Sequence, residues 1–145
     1  MKYFALLLLA IAVFACGDDD MTDFPGSFSY QTNNGLNIDV QSYGRPAVVR
    51  GDSLFLTLEG TSQTLRVDVD GLNTGADLPA TFLFGTTNAG GGLSVSHIGV
   101  GTVRLSTFTA NDQVVGTFLG EVSSPLDPTD SFEISDGQFR LALPE

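Results

Sequence analysis

An all-β domain of antiparallel strands is the fold class this sequence predicts, and three observations predict it. From residue 28 onward apolar side chains recur at every second position. Gly, Asn, Asp and Pro interrupt that pattern at short intervals. No segment after the first 15 residues carries a 3.6-residue period behind an N-cap.

Taken in order, the first strands are predicted over residues 28–32, 36–42 and 47–50, with Asn33-Asn34-Gly35 as the first turn. Leu54, Leu56 and Leu58 then alternate with Phe55, Thr57 and Glu59, and Leu65, Val67 and Val69 with Arg66, Asp68 and Asp70. Such strands put an apolar set on one face and charges on the other, as half-buried antiparallel strands do. Further strands are predicted over 80–85, 93–98, 103–106, 113–123, 132–135 and 139–143. Gly51-Asp52, Gly60-Thr61-Ser62, Ala89-Gly90-Gly91-Gly92, Ala110-Asn111-Asp112 and Ser135-Asp136-Gly137 read as the turns between them. About ten short strands at hairpin spacing predict an antiparallel β-sandwich, with a closed or partly open β-barrel as the alternative.

One domain is expected, over residues 28–145, behind two short segments. Met1-Lys2 is a positive start, and residues 3–15 are an unbroken apolar run. Thirteen residues as a helix span about 20 Å, short of the ~30 Å hydrocarbon core, so the run reads as a secretory signal peptide over residues 1–15. Val13-Phe14-Ala15-Cys16 resembles the lipobox of bacterial lipoproteins, which implies a lipidated Cys16. Phe14 is bulkier than the small residue usual at that place. Acyl chains on one residue give stable anchoring. Residues 16–27 then form an acidic tether. Its Gly17, Asp18, Asp19 and Asp20 resemble the export signal of Bacteroidota surface lipoproteins, which implies the outer membrane facing the cell surface, the periplasmic face being the alternative.

The chain has 17 acidic and six basic residues, a net charge of −11. That balance argues against nucleic acid as a partner, since binding phosphates needs a basic face. Lys2 is the only lysine and lies in the leader, so a processed chain supports neither Schiff-base chemistry nor a phosphate-binding P-loop.

Gly101-Thr102-Val103-Arg104-Leu105, Val115-Gly116-Thr117-Phe118 and Ile134-Ser135-Asp136-Gly137-Gln138-Phe139 resemble the closing strands of a group of small all-β lipoprotein domains of Bacteroidota. Phe28-Ser29-Tyr30 with Asn34-Gly35 resembles their opening strand and turn, without the Trp often found after it. The resemblance implies an all-β fold and an envelope setting, and no activity.

Four sets of residues bear on chemistry. His97, the single histidine, has Ser94 and Ser96 beside it, but neighbours in a strand point to opposite faces, and no Gly-x-Ser-x-Gly elbow is present. Asp68, Asp70, Asn73 and Asp77 present oxygen donors at the alternating spacing of a calcium loop but lack its twelfth-position Glu; an exposed strand running into a turn has the same spelling. The loop over residues 124–130 reads as a rigid, solvated connection. Tyr43 and Arg45, beside Gly44 and Pro46, combine residue types enriched at protein contacts. With no Trp, and only Tyr30 and Tyr43 beyond the leader, stacking platforms for sugars are scarce, which weighs against both a glycosidase and a glycan-binding reading.

Together these readings predict a lipid-anchored, non-enzymatic surface interaction or accessory module without a cofactor. A carboxylate-dependent hydrolase and a calcium-dependent adhesion module are the alternatives. The membrane is expected as a partner through the N-terminal lipid, together with an envelope or extracellular protein or ligand.

Overall fold

Leu54, Leu56 and Leu58 are fully buried while Ser53, Phe55 and Thr57 beside them are half-exposed, and this two-residue alternation organises the whole architecture. The computed structural model describes residues 26–145; the leader, Cys16 and the tether residues Gly17, Asp18, Asp19 and Asp20 lie outside the described residues. Among the described residues there are nine strands and no helix. They are β1 (Gly26–Thr32), β2 (Asn37–Tyr43), β3 (Val48–Arg50), β4 (Ser53–Glu59), β5 (Thr64–Asp70), β6 (Asp77–Thr87), β7 (Leu93–Thr109), β8 (Gln113–Ser123) and β9 (Ser131–Ala142).

All nine belong to one sheet, in the order β2-β1-β9-β8-β7-β6-β5-β4-β3, and every pair is antiparallel. The sheet curls into a half-barrel, the partly open barrel that the sequence pattern allows beside the sandwich. Its inner face is filled by apolar side chains, among them Tyr30, Phe82, Leu56, Val67, Leu105 and Ile134. Fully burying side chains of this size stabilises a fold by about 1.5–3 kcal/mol each.

The sheet breaks between β2 and β3. Alternating directions around the sheet make these two strands run the same way, and only Gly44, Arg45, Pro46 and Ala47 join them. They are the halves of one bent strand, the first paired with β1 and the second with β4. Ahead of the first residue of β3 a side chain substitutes for a backbone: the Tyr43 hydroxyl donates to the Thr57 carbonyl and accepts the Glu59 N–H at 3.2 Å. Arg45 adds an ion pair to Glu59 at 2.9 Å.

Two long strands correct the sequence expectation. Residues 93–98 and 103–106 are one strand, β7, and residues 132–135 and 139–143 fall along β9 and its end. Gly101 and Gly137, which lie between those segments, sit under aromatic rings instead of turning the chain. A Cβ at Gly101 would stand 2.6 Å from Phe82 Cε2, and one at Gly137 would stand 2.5 Å from Phe118 Cδ2. Rings laid over strand glycines let a sheet bend tightly without leaving voids. Asp136-Gly137 is a bulge in β9, with Asp136 at φ 51°, and both neighbouring strands shift register there.

Candidate functional site

The outer face carries a feature that no single strand reveals. Asp77 on β6 pairs with Arg104 on β7, which pairs with Thr117 on β8, and Thr117 pairs with Gln138 on β9. Gln138 pairs with Ser29 on β1, and Ser29 with Asp39 on β2. Six polar residues thus stand side by side in register across six strands, all exposed or half-buried.

The row lies in a shallow trough. A concavity of about 470 Å³ includes Asp77, Thr102, Arg104, Leu119 and Asp136, and a second of about 310 Å³ includes Ser29, Asp39, Gln41, Ser106 and Arg140. Thr117 and Gln138 belong to both. The register shifts at Ser106 and at Asp136-Gly137 lie beside the row, where bulges increase the local twist of the strands. The cations of the trough are held in place: Arg104 Nε donates to Asp77 Oδ1 at 2.8 Å, and Arg140 Nε donates to Gln113 Oε1 at 3.2 Å.

His97 occupies the other polar cluster. A bulge corrects the expected geometry: Phe84 pairs with His97 but Gly85 with Val95, so Ser96 is the extra residue. Its Oγ therefore comes within 2.9 Å of His97 Nδ1. The Ser96 hydroxyl lies 3.2 Å from the Phe84 carbonyl, to which it can donate, as well as beside Nδ1. His97 Nε2 stands 3.3 Å from Asp130 Oδ2, within ion-pair reach but without the geometry of a hydrogen bond. The imidazole packs on Phe132 at 4.9 Å and on Phe84 at 6.2 Å, and neither Ser96 nor His97 lines the trough.

The calcium candidates are placed separately. Asp68 is bound by Arg66 at 2.8 Å on β5, Asp77 by Arg104 on β6, Asp70 is exposed at the end of β5 and Asn73 lies in the following loop. Among the described residues, no group of three or more His, Cys, Asp or Glu side chains is placed to hold a metal ion. In the loop over residues 124–130, the hydroxyl and N–H of Thr129 donate to Asp127 Oδ1 at 2.7 and 3.0 Å and hold its carboxyl below the usual range.

Tyr43 and Arg45, the candidate contact residues, are engaged at the seam with Thr57 and Glu59. Burial pushes the Tyr43 phenol up. The Glu59 N–H opposes that rise, the Glu59 carboxylate adds to it, and Arg45 opposes it. Sequence reasoning missed the row because its members are joined by register and not by spacing. The available signal was the exposed, alternate position of Arg104, Thr117 and Gln138 in their strands.

Comparison of the chain with protein-family models, with curated proteins and with solved structures returns no match.

Proposed function

We propose that this chain is a non-enzymatic binding module of the bacterial cell envelope, tethered by lipid on Cys16 and displayed through Gly17, Asp18, Asp19 and Asp20. The observation that carries the binding role is the in-register row from Asp77 to Asp39 along the outer-face trough. The inner face is filled by core side chains, so the outer face is the surface with room for a ligand. The apolar run and the lipobox-like Val13-Phe14-Ala15-Cys16 support the anchor. The resemblance to small Bacteroidota lipoprotein domains supports the envelope setting.

Protease treatment of intact cells expressing the full chain, beside a Cys16→Ser variant, tests the anchor and its side. Degradation of the wild-type protein on intact cells is expected. Protection until the outer membrane is broken would move the domain to the periplasmic face. A Cys16→Ser protein that stays membrane-bound would overturn the lipid anchor.

A further inference from the structure

We propose that the outer-face trough binds a neutral, linear, β-linked glycan laid across the strands, one sugar unit to each strand. This rests on the reading of the trough as the binding surface and gives its ligand a chemical class.

The spacing argues first. Neighbouring strands stand about 4.8 Å apart, so a row crossing six strands offers a side chain at each such step over about 24 Å. That step is close to the advance of one pyranose unit in an extended β-linked chain. An extended peptide advances about 3.3 Å per residue and falls out of step with the row after two strands.

The chemistry of the row agrees. Thr117, Ser29 and Gln138 can each donate and accept, which suits hydroxyl groups that do both. The trough's ions are of both signs, with Arg104 fixed on Asp77, in a chain whose net charge is −11. An anionic polymer is repelled by that net charge, and a neutral one is not. In place of the exposed aromatic platforms that the described residues lack, Leu119, 59% exposed, and Val115 line the two concavities and give apolar ground for the C–H faces of sugar rings. The two concavities meet at Thr117 and Gln138, which suits a chain passing from one to the other and not a small molecule enclosed within either.

The test is affinity electrophoresis of the full chain in detergent, through native gels cast with soluble glucomannan, with dextran or with polygalacturonate. Glucomannan is expected to retard the protein, whereas α-linked dextran and anionic polygalacturonate leave its mobility unchanged. Gln138→Ala and Thr117→Glu should each weaken retention about tenfold, the scale of losing one hydrogen-bonding side chain. Glu133→Gln, outside the trough, should not. Circular dichroism of each variant checks that the sheet is intact. Migration unaffected by glucomannan overturns the glycan and leaves the trough open to another ligand. Retention by polygalacturonate that Gln138→Ala abolishes keeps the trough as a binding surface but overturns the neutral ligand. Retention that both trough variants leave intact overturns the trough itself.

Discussion

The Tyr43 hydroxyl accepts the Glu59 N–H at 3.2 Å and donates to the Thr57 carbonyl, so one side chain occupies two ladder positions on β4 that no strand among the described residues fills. A bare edge invites pairing with another chain. Here the phenol blocks that edge where the bent strand leaves it, and Arg45 on Glu59 holds the same junction.

Two tyrosine variants should therefore behave oppositely. Tyr43→Phe strips a hydrogen-bonding group from a half-buried seam and should cost about 1–3 kcal/mol. Tyr30 is fully buried and its hydroxyl has no hydrogen-bond partner among the described residues. Tyr30→Phe should leave stability unchanged or raise it, because a buried, unsatisfied polar group is removed. Urea midpoints at constant m-value give both numbers, and equal losses would contradict the seam role.

The glycines beneath the rings should be intolerant of a single methyl. A Cβ at Gly137 meets the Phe118 carbonyl at 2.5 Å, and one at Gly101 would overlap the Leu119 carbonyl. Gly101→Ala and Gly137→Ala should each destabilise by about 1–3 kcal/mol through overpacking. Gly44→Ala, with open space at that position, should stay within about 0.5 kcal/mol. Thermal melts of the three variants make the comparison.

Stability should fall in alkaline solution. Burial raises the phenols of both Tyr30 and Tyr43 above their ordinary value. Above a pH of about 10 the unfolded chain gives up these protons while the folded chain keeps them, so the stabilisation is present below that pH and is lost as pH climbs toward the folded values. Denaturation midpoints between pH 8 and 11 should decline, and Tyr30→Phe should flatten the decline. A midpoint that rises with pH would reverse the sign of this linkage.

Calcium should leave the melting temperature where it is. Asp68 is committed to Arg66 and Asp77 to Arg104, and no acidic cluster forms around Asp70 among the described residues. A ligand that binds only the folded state must raise the melting point. A rise with millimolar calcium, reversed by chelator, would revive the adhesion reading.

Much of the fold is legible in the sequence because alternation is a local signal. Leu54 to Leu58 and Leu65 to Val69 mark their buried faces by spacing alone, and the turns at Asn34-Gly35, Gly51-Asp52 and Asn111-Asp112 fall between paired strands. The long strands are less legible. Gly99, Gly101 and Asp136-Gly137 spell breaks and turns locally, and become strand positions only because Phe82 and Phe118 arrive from neighbouring strands to cover Gly101 and Gly137. Ser96 beside His97 misleads for the same kind of reason, since the bulge that turns it is set by pairing with β6. The trough is the extreme case: Asp77 and Asp39 belong to one row only through five successive registers.

The pairing of β1 with β9 also dictates when the molecule can finish folding. β3 through β9 pair in the order they occur along the chain, so each new strand finds its neighbour already made. β1 and β2 cannot dock until β9 exists, and Glu133 N–H reaching Asn33 Oδ1 at 3.0 Å closes a span of 100 residues. Non-local pairing of this kind is slow relative to hairpin growth. The first hairpin made is thus the last one seated, and a chain cut before Ser131 would leave it with no strand to join.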